Sequence, residues 1–192
     1  MLTKLERKDC LKRYPNFPQR HYNGILDEEE YFYPKVFSVN SFKVKAKDKD
    51  ELAKSLVLQT TKLINSISYS KIIFLGDTEK SWISHLLIER DNYEPLNQAK
   101  QYFAVNNIDN NFNGGIQVEV CDLSEFLKHF YVLTSCDASL PYFHFIDSDQ
   151  NIVGYIHYTT EVRIDALNQR TEKLLKNAVE KTKFIKVRFN AK

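Results

Sequence analysis

Apolar residues follow two periods along this chain, and those periods predict its strands and helices. Alternation of apolar and polar residues predicts half-exposed strands over Val36–Lys45 and Ile116–Val120, and the continuous apolar run Lys71–Leu75 predicts a buried strand. Two aromatic-rich runs flank the polar break Asp147–Asn151. They predict a β-hairpin over Tyr142–Tyr158, at the centre of the sheet.

A spacing of three to four residues between apolar positions predicts the helices. These are Leu2–Arg13, Asp50–Ile67, Glu79–Glu89, Pro95–Val105, a helix that begins after Asp122, and Ala166–Lys181 with Asp165 as its cap. The alternating segment Phe184–Phe189 predicts a last strand. The order of strand, long helix and strand at the end of the chain predicts one crossover connection.

This order of elements predicts an α+β fold, with a mixed, mostly antiparallel sheet, a central hairpin (142–158) and several packed helices. The length of 192 residues suits one domain with an N-terminal extension. The prolines in Tyr14–Pro18 end the first helix, since proline removes a backbone donor and restricts the residue before it. We therefore expect an N-terminal helix and irregular arm over 1–34 and a single α+β domain over 35–192.

The composition is that of a globular protein that needs neither a membrane nor disulfides. Hydrophobic residues make up 43% of the chain, but no run of them is long enough for a membrane span. The N-terminal residues lack the apolar stretch of a secretory signal. The three cysteines, Cys10, Cys121 and Cys136, show no motif spacing, which favours free thiols in a reducing compartment. We expect a cytoplasmic protein.

The net charge of +2 hides two zones of opposite sign. Arg163–Lys192 contains nine lysine or arginine residues against three acidic ones, whereas Asp27–Glu30 is wholly acidic and precedes an aromatic segment. The basic zone is typical of a solvated helix face, and it can also indicate an acidic partner or nucleic acid. The aromatic residues beside the acidic run can pack on the main body or form a recognition surface. The candidate partner-binding residues are Asp27, Glu28, Glu29, Glu30, Tyr31, Tyr33, Lys183, Lys186 and Arg188.

Two short motifs approach ion-binding patterns and fail them. The segment Asp147–Asn151 begins like a calcium loop, but Ile152 and Tyr158 stand where the loop needs glycine and glutamate. The junction Gly76–Thr78 lies between a predicted strand and helix, as a phosphate loop would. It holds one glycine and an aspartate, which would repel an anion, so we expect a tight turn there.

The histidines and cysteines leave one further question open. His144 and His157 are expected on neighbouring strands, and a Cys/His site with Cys121 and Cys136 is conceivable from ligand type alone. No spacing in the chain matches a zinc or nucleophile signature. We assign no catalytic, cofactor-binding or metal-binding residue.

The C-terminal part of the chain resembles the GNAT family of N-acetyltransferases. The resemblance rests on Asp149–Tyr158, followed by a strand, a helix and the segment Phe184–Phe189. It implies an acyltransferase whose glycine-rich loop would hold the pyrophosphate of acetyl-CoA. The matching position, Gln169–Leu174, contains no glycine and places Glu172 near the phosphate.

The whole chain is similar in type to the immunity proteins that neutralise bacterial contact-dependent toxins. The similarity lies in a small, aromatic, charge-segregated α+β chain without a catalytic set, and it implies a surface that matches one toxin. The sequence thus predicts a non-enzymatic protein-binding protein, with no cofactor. An acetyltransferase-like enzyme is the alternative, and nucleic-acid binding through the basic C-terminal region is a weaker one.

Overall fold

The computed structural model describes residues 2–67 and 70–187. The strands are β1 Thr3–Leu5, β2 Gln19–Asn23, β3 Glu28–Phe32, β4 Ser41–Lys43, β5 Lys71–Gly76, β6 Gly115–Glu119, β7 Phe143–Asp147, β8 Ile152–Ile156, β9 Val162–Ala166 and β10 Ile185–Lys186. The helices are α1 Arg7–Arg13, α2 Lys49–Ser66, α3 His85–Glu89, α4 Glu94–Val105, α5 Leu123–Cys136 and α6 Gln169–Val179, with a 3-10 turn at Val120–Asp122.

Eight of these strands form one sheet, in the order β1-β6-β5-β7-β8-β9-β4-β10, and β2 and β3 form a second, two-stranded sheet. Every pair of neighbouring strands among the described residues is antiparallel. The prediction of an α+β fold with a mostly antiparallel sheet is confirmed. The predicted hairpin is β7 and β8, which lie in the middle of the large sheet between β5 and β9.

The turn of this hairpin is built on one carboxylate. Asp147 is fully buried and accepts hydrogen bonds from the backbone N–H groups of Asn151 and Ile152, at 2.6 and 2.8 Å. Gln150 lies in the left-handed region with φ of 55°. The polar break is therefore a turn in which aspartate satisfies the local backbone donors, as its residue types predict.

The two faces of the large sheet carry two separate apolar clusters. Helices α2, α4, α5 and α6 cover one face, where Phe74 and Phe145 pack against α5. Helix α1 and the residues after it cover part of the other face, where Tyr14 and Phe17 pack with Ile146. The part of that second face over β7, β8 and β9 carries polar residues instead.

Two predicted helices are wrong over part of their length, because some of their residues form hydrogen bonds with residues that are distant in the sequence. The N-terminal helix prediction covered Thr3–Leu5, which pairs with β6 as an edge strand. The predicted helix Glu79–Glu89 begins only at His85, the first residue of α3, where Ser84 accepts a capping hydrogen bond from Leu87 N–H. Before it, the backbone and indole N–H groups of Trp82 donate to the carbonyl groups of Phe112 and Gly114.

Two predicted boundaries around β9 are also wrong. Val36–Lys45 forms a regular strand only at β4, preceded by one isolated bridge from Ser38 to Ala166. Asp165 does not cap a helix, because β9 stays paired with β8 as far as Ala166. The cap of α6 is Asn168, whose side chain accepts from Thr171 N–H at 2.9 Å.

The predicted crossover from strand through helix to strand is present. Its two strands, β9 and β10, are not neighbours, because β4 lies between them in the sheet. Because β9 and β10 both pair antiparallel with β4, the connection through α6 returns the chain in its original direction. Only Ile185–Lys186 of the predicted last strand is regular, and residues 188 and 189 lie outside the described part of the chain.

The N-terminal arm, residues 14–34, was predicted as irregular and instead contains the hairpin β2–β3. The predicted division between 1–34 and 35–192 stays a prediction. No helix that the structure describes has both the length and the hydrophobicity that a membrane crossing needs.

Candidate functional site

The register of the central strands places three polar side chains in one row across the sheet. His144 on β7 pairs with Tyr155 on β8, and Tyr155 pairs with Arg163 on β9. Directly paired residues share one face, because side chains alternate along a strand. This row lies on the face opposite the large helices, next to the apolar cluster of Tyr14, Phe17 and Ile146. We call the row the polar floor.

The arm is attached to the edge of this floor through Asp77, which directly follows β5. Arg20 donates from Nε and Nη2 to Asp77 Oδ2, at 3.0 and 2.7 Å, and from its backbone N–H to the Asp77 carbonyl group. The other carboxylate oxygen accepts from Tyr142 N–H at 3.0 Å. Asp77 is 1% exposed, so these contacts replace its water entirely.

A second buried carboxylate attaches the end of the arm. Asp165 is fully buried and its Oδ2 accepts from Tyr33 OH at 2.8 Å and from Arg163 Nε and Nη2 at 2.8 and 2.7 Å. Its Oδ1 accepts from Asn40 N–H at 3.2 Å. The Arg163 guanidinium also lies over the Tyr33 ring, 5.0 Å from its centroid. Charge, hydrogen bonds and a ring contact thus hold the arm over β9.

Between the arm and the floor lies a cleft of about 440 Å³. The arm contributes Arg20, Glu29, Tyr31 and Tyr33, and the sheet with the residues that flank its strands contributes Asp77, Tyr142, His144, Tyr155, His157 and Arg163. The lining is therefore mostly aromatic, with two guanidinium groups that are each already engaged by a carboxylate.

Burial and these ion pairs set the protonation of the cleft. Burial lowers the pKa of His144 to about 3, with a smaller contribution from Arg163 and Arg20. The imidazole is therefore neutral at physiological pH. Tyr31 is half-exposed, but burial of the rest of its side chain still raises its pKa to about 12, with a smaller contribution from Asp77, so the phenol stays protonated. Burial acts to lower the pKa of Arg163, but the hydrogen bonds and charge of Asp165 outweigh it and raise that pKa.

His144 is the one residue of this floor that is both buried and unsatisfied in the part of the chain the structure describes. It is 2% exposed, and neither Nδ1 nor Nε2 has a hydrogen-bond partner. The rings of Tyr33 and Tyr155 pack edge-on against it, with centroids at 6.1 and 5.5 Å. Since a neutral imidazole offers one donor and one acceptor, both functions stay unused within the protein.

The structure brings together only some of the predicted partner-binding residues. Glu29, Tyr31 and Tyr33 line the cleft, whereas Asp27, Glu28 and Glu30 lie on the exposed hairpin outside it. Lys183 and Lys186 are exposed at the edge of the sheet beside β10 and do not line the cleft. Arg188 lies outside the described residues.

The open question about histidine and cysteine is answered by the fold. His144 and His157 both line the cleft, but Cys121 and Cys136 do not. Cys136 packs against the helical face of the sheet. In residues 2–67 and 70–187, no three His, Cys, Asp or Glu side chains lie close enough to hold a metal ion.

Four charged residues of the site were not predicted from the sequence. The sequence pattern could have indicated Arg163 and Asp165, because they share one face of a strand whose other residues are apolar, and buried charges are usually paired. Arg20 and Asp77 carry none, since they lie far apart in the chain and in unrelated elements.

Replacing Arg20 with alanine is expected to release the arm from the sheet. The change removes the cation of Asp77, but release of the arm also lets water reach the carboxylate, so we expect the free energy of unfolding to fall by about 2 kcal/mol, less than for a charge that stays buried. Amide hydrogen exchange should speed up across residues 19–33 and stay unchanged in β7 and β8. Arg13→Ala, which removes an exposed arginine from α1, is the control. Unchanged exchange in the arm of the Arg20 variant would show that Asp77 does not hold it.

Comparison with known proteins gives no relative to transfer a function from. No family model, curated protein or solved structure matches the chain. Function is therefore inferred from the residues of this fold alone.

Proposed function

We propose that this protein is a non-enzymatic binding protein that engages a protein partner through the hairpin β2–β3. The observation that carries the proposal is the apolar surface of the hairpin. Ile25 is 95% exposed, and all five residues of β3 are exposed, including Tyr31 and Phe32. Clustered exposed apolar side chains on a short strand pair are typical of an interaction site, because they gain most from being covered.

The charge of the hairpin specifies what kind of surface would cover it. Asp27–Glu30 is acidic, and Arg20 is the single lysine or arginine in residues 19–33. A partner with a basic surface is therefore favoured, since complementary charge speeds and orients association. Hydrogen bonds within the hairpin, from Tyr22 OH to Asp27 and from Asn23 Nδ2 to Glu30 at 2.6 Å, hold its tip in one shape. Such pre-organisation lowers the entropic cost of binding.

Within this proposal the partner is a bacterial toxin domain with a basic surface, and the chain is the inhibitor that neutralises it in the cytoplasm. The resemblance in type to immunity proteins supports this choice. The three free cysteines, Cys10, Cys121 and Cys136, also suit a reducing compartment.

The geometry gives the two alternatives less support. Strands β7, β8 and β9 stay paired, and the side chain of Asn168 occupies a backbone N–H group at the start of α6. Glu172 is also largely buried in the first turn of α6, where it bonds Ser38 and Asn40. A carboxylate there disfavours the pyrophosphate of acetyl-CoA. For nucleic acid, Lys183 and Lys186 lie at a two-residue edge strand and do not line the cleft.

Substitution at the hairpin tip is expected to weaken partner capture. Ile25→Ser with Leu26→Ser removes exposed apolar area, and Glu28→Lys with Glu30→Lys reverses the charge and also removes the hydrogen bond from Asn23 to Glu30. Each pair should weaken binding by about tenfold or more, the usual effect of losing interface anchors or complementary charge. The measurement is capture of a stoichiometric protein from native cell extract, followed by titration of the purified partner.

The matched control reverses two acidic residues elsewhere on the surface, with Glu89→Lys and Asp91→Lys. Circular dichroism of all variants should match the parent chain, because the changed side chains are exposed. Capture of the same partner at full strength by the tip variants would place its binding surface elsewhere. Failure of the parent chain to retain any stoichiometric protein would overturn the proposal.

A further inference from the structure

The cleft between the arm and the sheet has features that protein binding through the hairpin tip does not use. We propose that it binds an uncharged planar heteroaromatic ring that carries both a hydrogen-bond donor and an acceptor, the class of the nucleobases and nucleosides. The inference does not rest on the protein-binding proposal, since Ile25 and Leu26 at the tip do not line the cleft.

The floor of the cleft offers a ligand one polar side chain whose hydrogen-bonding groups are unused. His144 is 2% exposed and neither of its ring nitrogens has a partner in the described structure. Buried polar groups are nearly always hydrogen-bonded, so an imidazole left unsatisfied at the floor of a cleft points to a missing partner. Its burial keeps the ring neutral, with one donor and one acceptor. Because the two nitrogens point to opposite sides of the imidazole, a ligand pairs with one of them, and a second polar atom of the same ligand is free for Arg163.

The walls of the cleft favour a flat ring. Tyr142 and His157 stack with an interplanar angle of 16° and centroids 6.0 Å apart. Tyr33 and Tyr155 stand edge-on to the imidazole of His144. Aromatic side chains of this kind bind heterocyclic rings by stacking, with little dependence on which ring it is.

The charges of the cleft disfavour an ion of either sign. The charged residues that line the cleft are two carboxylates, Asp77 and Glu29, and two guanidinium groups, Arg20 and Arg163, while Asp165 pairs with Arg163 from outside the lining. A phosphate therefore finds no surplus of positive charge among the lining residues, and a cation finds no surplus of negative charge there. Arg163 uses Nε and Nη2 for Asp165. Its Nη1 group can donate to a carbonyl oxygen of a neutral ring.

Bases are also presented by single-stranded nucleic acid, and the hairpin argues against that source. Asp27–Glu30 lies on the same arm that covers the cleft, and its carboxylates would repel a phosphate backbone. The volume of about 440 Å³ matches a small ligand, since such sites usually measure roughly 300–1,000 Å³. We therefore expect the free base or nucleoside to bind better than its phosphorylated forms.

The test is a titration of the full chain with adenosine, guanosine, cytidine and uridine, followed by NMR chemical shifts and calorimetry. At least one nucleoside should shift signals of residues that line the cleft, and its monophosphate and a short single-stranded oligonucleotide should bind more weakly. In His144→Phe the dissociation constant should rise by about tenfold or more, because phenylalanine keeps a flat aromatic side chain at this position but has neither a hydrogen-bond donor nor an acceptor. Thermal unfolding at neutral pH checks that this variant is folded.

His129→Phe is the matched control. His129 is another largely buried imidazole with an unpartnered Nδ1, but it stacks on Tyr102 at the helical face. This variant and Ile25→Ser should bind nucleoside like the parent chain. The proposal is overturned by silence of the cleft signals with every nucleoside at millimolar concentration, by unchanged affinity in His144→Phe, or by tighter binding of the phosphorylated forms. Each result is independent of whether a protein partner is captured.

Discussion

Asp165→Ala is expected to lower the free energy of unfolding by about 3–5 kcal/mol, the cost of breaking a buried ion pair. The carboxylate is fully buried and accepts hydrogen bonds from Arg163, Tyr33 and Asn40. Its removal leaves the Arg163 guanidinium, which is 25% exposed, without its counter-charge and frees the end of the arm. The midpoint of urea unfolding should fall with little change in slope.

Two further variants show whether charge is the cause of that loss. Glu161→Ala removes a pair with Lys43 that is 3.6 Å long and partly exposed, and should cost less than about 1 kcal/mol. Arg163→Met combined with Asp165→Leu removes both charges, and should recover most of the stability lost by Asp165→Ala. If the double variant is no more stable than the single one, the loss comes from packing and the ion-pair explanation is wrong.

His144→Phe is expected to make the protein more resistant to acid. The pKa of His144 is lowered from 6.5 to about 3 by burial and by Arg163 and Arg20, so the unfolded chain binds more protons between these values. The stability that the neutral imidazole contributes is therefore fully present above about pH 6.5 and is lost as the pH falls toward 3, by about 5 kcal/mol over the whole window. The variant lacks this proton uptake.

Urea unfolding of both proteins at about pH 7.5 and pH 5 measures this effect, and the stability advantage of His144→Phe should grow by about 2 kcal/mol between them. Taking the difference in stability between the two proteins removes the contribution of the carboxylates, because these titrate in both. His85→Gln changes an exposed histidine on α3 and should follow the parent chain. A stability difference that stays constant with pH would mean that His144 is protonated as readily in the folded chain as in the unfolded one.

The elements predicted correctly are those whose information is local. Helix α2 was predicted as Asp50–Ile67 and begins and ends one residue earlier, because apolar spacing specifies it without help from distant residues. The hairpin at 142–158 follows from strand alternation and from Asp147, which closes its turn through its immediate neighbours. Both predictions needed only the chain within a few residues of each element.

The elements predicted wrongly are those decided by distant partners. Thr3–Leu5 has the spacing of a helix but pairs with a strand more than 100 residues away in the sequence, where an edge of the sheet offered backbone hydrogen bonds. Trp82 has the position of a helix residue but bonds the carbonyl groups near Gly114. The spacing of apolar residues around Thr3–Leu5 and Trp82 does not indicate that β6 and Gly114 are their partners.

The sequence by itself determined the α+β class, the central hairpin and the position of His144 on a central strand, whereas His157, predicted on the neighbouring strand, directly follows the end of β8. Tertiary structure alone decided that the arm covers this hairpin, because the bond from Arg20 to Asp77 joins residues that no local pattern relates. It also decided that His144 is buried and unsatisfied, since Tyr33 of the arm packs against it on the face of the sheet where strand alternation places it.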